Sequence, residues 1–598
     1  MVLQSALAIL LLSSCRLVTA RVVSRAEQLS REEYDFIVIG GGTAGAVMAS
    51  RLSEDPDVTV LVIEAGQSNT AGPDVDLIQI PYRATVVSSE FDWNYTTVPQ
   101  AALDNRTLPY PRGFVLGGSS SVNYMFYTRG SSDEFDYIAN FTGDSGWSWE
   151  NMFPYMLKAE TLLLNTPDAA NLVNASLHGT SGPVFTSLPS NASNIDSRVI
   201  LTTEESPEFP FNQDMNSGNP LGIGWLQSTI GFGERSSSAT GYLTETTVSR
   251  RNLDVLIGSR VTKLLKTDTR SETPVILGLE VAESAHARPI TLRATREVIL
   301  AAGSIGTPQL LMLSGIGAEE ELCALDIPLI LDVSDIGKNL QDHPWVPLQW
   351  TVNDTSLDEL QRQPSMLEAA FAQYNTSKTG VIANNPGGNH VAWLRLPDNS
   401  TILQEFGDPT TGPLSPHYEF AIVDSFLSFS AALPETGHFM SMGAVLVSPT
   451  SRGSVALASA SAFDAPLIDP GFLKTESDLL ILTEAVKAAH RFTSSPAWSD
   501  YIIDSFGDSA NTTSDAAIAD YIRNVAETFR HPLGTARMTG LNDTGGVVSS
   551  DLLVKGVHGL RIVDASIFPK IFGSHMQAPL YAVAERAVDL VKAAHGLA

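Results

Sequence analysis

The sequence predicts an α/β protein, α+β overall, in which a parallel-sheet domain is joined to a discontinuous second domain of antiparallel sheet and helices. Three observations carry that expectation. A strand–helix–strand pattern stands at residues 34–64. Short runs of buried-strand composition recur far along the chain, at 253–257, 297–301 and 560–564. The middle, roughly 340–550, has longer alternating segments suited to antiparallel sheet covered by helices. With 598 residues, 43% apolar and 17% charged, the chain can bury a large core across two domains, and it is too apolar to be disordered.

Taken in order, the chain begins with an apolar run, Ala6 to Leu12, and a small-residue site, Val18-Thr19-Ala20. The run is too short to span a bilayer and reads as a secretory signal over residues 1–20. No later segment has about 18 uninterrupted apolar residues, so a soluble, extracellular protein is expected. Ten Asn-X-Ser/Thr sites fit that route as glycosylation acceptors: Asn94, Asn105, Asn140, Asn174, Asn191, Asn353, Asn375, Asn399, Asn511 and Asn542. Cys15 lies in the signal and Cys323 is the only other cysteine, so no disulfide is expected within the mature chain. The formal charge of −29 excludes a nucleic-acid partner and disfavours polyanionic substrates and anionic membranes.

Tyr34 to Ile39 is a branched apolar run that reads as a buried parallel strand. Gly40-Gly41-Gly42-Thr43-Ala44-Gly45 follows at once and matches G-x-G-x-x-G. In this pattern Gly40 permits a tight turn, Gly42 lets the backbone approach a pyrophosphate, and Gly45 allows close helix–strand packing. Ala44 to Leu52 has helical composition, so its N-terminus offers free N–H groups to phosphates. Val58 to Glu64 is a second buried strand, and Glu64 at its end can accept from both ribose hydroxyls. An acid there favours unphosphorylated ribose, hence FAD or NAD over NADP. The glycines alone could be a loop in any α/β protein; with strand, helix and acid in place they read as a Rossmann-like dinucleotide site. Further on, Leu253–Ile257 and Glu297–Ala301 flank a polar hairpin-like stretch, Phe439–Leu457 alternates, and Ala578–Ala594 reads as a closing helix.

Longer motifs choose the cofactor. Arg112-Gly113-Phe114-Val115-Leu116-Gly117-Gly118-Ser119-Ser120-Ser121-Val122-Asn123, Gly303 to Pro308 with Ser314 to Gly317, Gly337 to His343 and Arg561 to Ser566 occur in that order. Together they resemble the glucose–methanol–choline (GMC) oxidoreductases, a family of FAD enzymes, over nearly the whole mature chain. The resemblance implies an FAD-binding domain from 33–70, 113–145, 240–335 and 550–598. It implies a substrate-binding domain from 71–112, 146–239 and 336–549. It places Gly118, Ser119 and Asn123 at the flavin or its phosphates, Val261 at adenine and Asp564 near a ribityl or pyrophosphate-side hydroxyl. Some relatives attach FAD through a His in the first motif; Val122 and Asn123 stand there in this chain, so non-covalent FAD is expected.

The resemblance also assigns the chemistry. His531 and His575 match the family's active-site pair, His531 as the base that takes the hydroxyl proton and His575 as the partner that orients the hydroxyl. Hydride then passes to flavin N5, and O₂ or a quinone reoxidises the cofactor. No H-E-x-x-H, C-x-x-C or G-x-S-x-G pattern supports a metal site or a serine hydrolase instead. Within the family the chain is most similar to fungal aryl-alcohol oxidases, through Phe91 to Thr97, Ser119 to Tyr124, Asp144 to Trp149 and Val391 to Pro397. Tyr124 matches an aromatic gate there. Two departures follow. Arg530 replaces an aromatic beside the base, and a pocket-closing loop aromatic falls at Leu427. Loss of these rings should widen the pocket and make it more polar, with Arg530 binding a carboxylate or sugar hydroxyls, or pointing to solvent. The expectation is a monomer oxidising a primary aryl or conjugated alcohol to the aldehyde. A sugar dehydrogenase and an alcohol dehydrogenase tailoring a fungal secondary metabolite are the alternatives.

Overall fold

A computed structural model describes residues 22–84, 89–164, 169–268 and 273–597. The signal read over residues 1–20 lies outside them. Two large sheets organise the chain. The first runs Val22–Val23, Leu253–Leu256, Val60–Ile63, Glu33–Ile39, Ile290–Leu300, Val275–Ala282 and Arg260–Asp268, with Leu560–Ile562 also on Ile290–Leu300. Its strands pair in parallel from Val22–Val23 to Ile290–Leu300, and Leu560–Ile562 is parallel too. The polar hairpin-like stretch forms two antiparallel strands, Arg260–Asp268 and Val275–Ala282. Ile290–Leu300 is a longer strand than the segment 297–301. Its N-terminal half is polar and half-exposed and pairs antiparallel with Val275–Ala282, while its apolar end enters the parallel sheet.

Helix Thr43–Leu52 lies on this sheet, and helix Gln577–His595 packs against it from outside. Both are apolar over most of their length, as helices enclosed by other elements must be. The helix Thr43–Leu52 begins at Gly42, directly after the strand Glu33–Ile39. A Cβ on Gly45 would stand 1.9 Å from the Gly40 carbonyl oxygen, so only glycine lets helix and strand approach this closely.

The second sheet is antiparallel, in the order Ile502–Ser505, Pro344–Val352, Phe439–Leu446, Tyr418–Val423, His390–Leu394 and Gly222–Trp225, with Glu527–Thr528 on Pro344–Trp345. The segment 439–457 is not one alternating strand. Phe439–Leu446 is buried at every position, because the sheet is covered on both faces, the helix Glu476–Thr493 lying on one of them. After Pro449 the chain turns away, and Gly453–Ala456 joins a separate three-stranded sheet. Each large sheet has its own apolar core. Among the described residues, no helix is long and apolar enough to cross a membrane.

Candidate active site

One cavity runs between the two sheets. At one end lie Gly40, Gly42, Thr43, Ala44, Glu64 and Val261; at the other lie Tyr124, Leu427, Arg530, His531 and His575; Gly118, Ser119, Asn123 and Asp564 line it between them. Of the glycine motif, Gly41 and Gly45 do not line it; Gly45 packs against the strand, as described. Sequence positions as far apart as 40 and 575 thus converge on one space.

The nucleotide end is built from backbone. Gly40 has φ +99, which carries the chain sharply from strand to helix. A Cβ on Gly42 would meet nothing nearer than the Gly118 Cα at 3.8 Å, so the fold itself does not require glycine there. The empty side faces the cavity at a helix N-terminus, as a cradle for phosphate does. Glu64 is buried, and its two oxygens accept from the Gly41 N–H at 2.9 Å and the Gly66 N–H at 2.7 Å. Burial pushes its carboxyl up to about 7, against the pull of those N–H groups. Each oxygen accepts a single N–H and so keeps a lone pair for a hydroxyl donor in a space otherwise made of glycine and apolar groups. These features fit FAD.

In the middle, Asp564 is more committed to the fold than its motif suggests. Its carboxylate accepts from the Gly303 N–H at 2.9 Å, the Thr307 hydroxyl at 2.6 Å and the Ser566 N–H at 2.8 Å. It thereby ties the start of the helix Gly303–Leu313 to the strand Leu560–Ile562. Asn123 donates to Gln577 at 2.5 Å and accepts from Arg235 at 2.8 Å, so its amide is fixed by the protein.

The inner end is a cluster of imidazoles. The rings of His531 and His575 are 4.6 Å apart. His531 follows the short strand Glu527–Thr528, which pairs with Pro344–Trp345, and its own N–H donates to Asp342 at 2.7 Å. The buried Asp342 also accepts from Tyr110, Thr528 and the His343 N–H, which locks the turn carrying the base. His531 Nδ1 meets His343 Nδ1 at 3.0 Å. Burial, then the neighbouring His575 and His343, then Arg112 and Arg530, hold His531 well below the ordinary histidine range. His575 sits before the helix Gln577–His595; its N–H donates to Thr128 at 2.9 Å and its Nε2 meets the buried Glu419 carboxylate at 2.9 Å. Phe126 stacks on the His575 ring at 4.4 Å, and Phe529 lies 5.4 Å from both imidazoles.

One expectation about the outer pocket is corrected, and one of the alternatives for Arg530 is set aside. The loop after Asp424 does supply a ring: Leu427 lines the cavity, but Phe429, two residues on, stacks with Tyr124 at 6.0 Å and meets Trp345 at 4.8 Å. The irregular loop shifts the aromatic by two positions without emptying the pocket. Arg530 is half-buried and does not point to solvent; its guanidinium lies 4.1 Å over the Phe429 ring. Sequence reasoning assigned no site role to His343, Glu419, Phe429, Phe529 or Phe126. His343 and its neighbour Asp342 stood inside a recognised motif, and that was the available signal.

Comparison with known proteins decides the family. The GMC oxidoreductase family models match residues 34–345 and 449–584. The chain belongs to the GMC oxidoreductases. It is an FAD-dependent oxidoreductase acting on CH–OH donors. Over 593 residues it is 38% identical to dehydrogenase eriK of Hericium erinaceus, covering 95% of this chain and 96% of that one. It is 40% identical to pyranose dehydrogenase 3 of Leucoagaricus meleagris, covering 94% and 93%. A variant formate oxidase from Aspergillus oryzae superposes with a TM-score of 0.86 at 29% identity, over 94% of this GMC chain and 99% of its own. A fungal aryl-alcohol oxidase superposes with a TM-score of 0.82 at 25% identity, over 95% and 100%.

Proposed function

We propose that this protein oxidises a primary alcohol, aryl or conjugated alcohols in preference, to the aldehyde, with His531 as the base. One observation carries the reading. The two imidazoles close the inner end of a cavity whose far end offers Gly42 and Glu64 to a dinucleotide. FAD bound there would supply a two-electron acceptor for the hydride that leaves the carbinol carbon.

The protein's part is positioning and proton transfer. For His531 to act as base through Nε2, its own proton must lie on Nδ1 and be donated across the 3.0 Å contact to His343 Nδ1, which puts the His343 proton on the buried Nε2. Burial, then the charge of His575, pushes His343 down to about 3, so the ring is neutral. With its proton on Nε2, His343 Nδ1 can only accept, and the His531 Nδ1 must donate to it. That leaves the lone pair of His531 on Nε2, free to take the hydroxyl proton as the alkoxide develops. His575, tethered by Glu419 and Thr128, supplies the second contact that orients the hydroxyl. The rings of Tyr124, Phe429 and Phe529 favour an apolar, unsaturated body over a polyhydroxylated one.

The test is anaerobic mixing of the flavin-loaded protein with 4-methoxybenzyl alcohol or glucose. Bleaching of the flavin by the aryl alcohol, and its loss by several decades in His531→Ala with flavin content unchanged, is the expected result. Bleaching by glucose alone would favour a sugar dehydrogenase, the reading that the 40% identity to a pyranose dehydrogenase supports. Non-covalent FAD is part of the proposal: acid precipitation should leave the yellow colour in the supernatant. Peroxide yield against quinone reduction assigns the electron acceptor, O₂ or a quinone. We also propose a secreted, monomeric glycoprotein. Nine of the ten acceptor asparagines are exposed and Asn191 is half-buried, and removal of N-linked glycans should lower the mass of protein recovered from culture medium.

A further inference from the structure

Arg530 departs from its surroundings in three ways. Its φ is +72, left-handed backbone that is strained for a non-glycine residue. The strain is held from both sides, by its N–H donating to Thr528 at 2.8 Å and its carbonyl accepting from Arg112 at 2.6 Å. Its guanidinium borders the cavity on a bed of rings, 4.1 Å over Phe429 and 6.0 Å from Tyr124. Among the described residues no carboxylate lies within ion-pair distance of it, and its Nε is buried with no partner. Glu527 feels its charge ahead of that of Arg106, but it is hydrogen-bonded to Ser430 and makes no ion pair with the guanidinium. Arg112, the neighbouring guanidinium, is taken up by backbone carbonyls, those of Pro111 and Arg530.

A strained arginine whose Nε has no partner, beside the base and among rings, is an incomplete anion site. Guanidinium offers only donors, in a planar fork that matches a carboxylate; sugar hydroxyls would need acceptors as well. We infer that Arg530 anchors a carboxylate carried by the alcohol substrate, so that the preferred substrate is an unsaturated or aromatic acid bearing a primary hydroxyl. This rests on the proposed alcohol oxidation. The carboxylate takes the Arg530 fork, the apolar body lies among Tyr124, Phe429 and Phe529, and the hydroxyl reaches His531.

Two measurements on the flavin-loaded protein separate this inference from the reading it rests on. The first is titration with 4-methoxybenzoate, which cannot be oxidised, followed by perturbation of the flavin absorbance. Wild type should show saturable binding that weakens roughly 10- to 100-fold in Arg530→Gln and less in Arg530→Lys, which keeps the charge without the fork. The second is flavin reduction by 4-(hydroxymethyl)benzoate against 4-methoxybenzyl alcohol. The acid should be preferred, and Arg530→Gln should lower the acid-to-neutral ratio of kred/Kd roughly 10- to 100-fold, mostly through Kd. Arg530→Gly relieves the left-handed backbone and should lose the same binding while melting no lower than wild type, which a merely structural arginine would not do. Absent benzoate binding, or an acid-to-neutral ratio unchanged by Arg530→Gln, would overturn the inference. Benzoate binding that depends on Arg530, with no alcohol reducing the flavin, would uphold the anion site and sink the proposed oxidation.

Discussion

At the scale of single residues, the state of His531 follows from what surrounds it. Its pKa is lowered by burial first and then by neighbouring positive charge, so it keeps its lone pair well into acid. A base must be deprotonated to act. The reduction rate constant should therefore be level through neutral pH and fall only well below 6.5, the ordinary histidine value. A limb at 6.5 or above in the pH profile of flavin reduction would contradict this. The orientation of that lone pair depends on His343. His343→Phe removes the acceptor for the His531 Nδ1–H and should slow reduction about 10- to 100-fold, the worth of one buried hydrogen bond. His343→Asn, whose amide oxygen can accept in the same place, should recover part of the rate. The imidazole pair and Glu64 were legible from motifs because local spacing encodes them. The His343–His531 contact joins residues 188 apart, and Glu419 reaches His575 across 156, so no local pattern reports either.

At the scale of elements, the strand–turn–helix from Glu33 to Leu52 was readable because its glycines obey two different constraints. Gly45 is demanded by the protein: a side chain there meets the Gly40 carbonyl at 1.9 Å. Gly42 is not, since its φ of −80 suits any residue and a Cβ would clear Gly118 at 3.8 Å. Gly45→Ala should therefore destabilise the fold by about 1–3 kcal/mol or prevent it from forming. Gly42→Ala should fold with the melting temperature of flavin-stripped wild type and lose most of its flavin, read as the ratio of absorbance at 450 and 280 nm. Equal flavin content in Gly42→Ala and wild type would remove this position from the cofactor site. Elements with weaker local signals were harder to delimit. The segment 439–457 alternates, but a sheet covered on both faces buries every residue of Phe439–Leu446, and which strand ends where is set by partners far away in sequence. The loop carrying Phe429 has no period at all, so the ring could only be placed once the loop was seen to fold over Tyr124.

At the scale of the whole molecule, burying ionisable groups in two large cores makes stability depend on pH in opposing ways. Asp424 is pushed up to about 7, first by burial, and Glu134 likewise to about 7. For such an acid the folded state holds a proton that the unfolded state releases near 4, so its stabilising contribution is complete below pH 4 and is lost as pH rises through about 7. His343 works the other way. The unfolded ring protonates at 6.5 and the folded ring only at about 3, so stability falls as pH drops between those values. Glu160 and Glu297, held low against burial by Arg129 and Arg561, lose their contribution as pH falls below the ordinary carboxylate range. Between about pH 4 and 7 the buried acids and histidines therefore oppose each other, and melting temperature should vary little there while dropping steeply at lower pH. Asp424→Asn separates the terms. Asparagine still accepts from the Ser193 hydroxyl, which lies 2.9 Å from Asp424, but it does not titrate. Relative to wild type, the melting temperature of this variant should rise as pH increases from 4 to 7 and then stay level. Calorimetry across that range reads the difference directly, and a difference independent of pH would mean that Asp424 ionises in the folded protein as freely as in the unfolded chain.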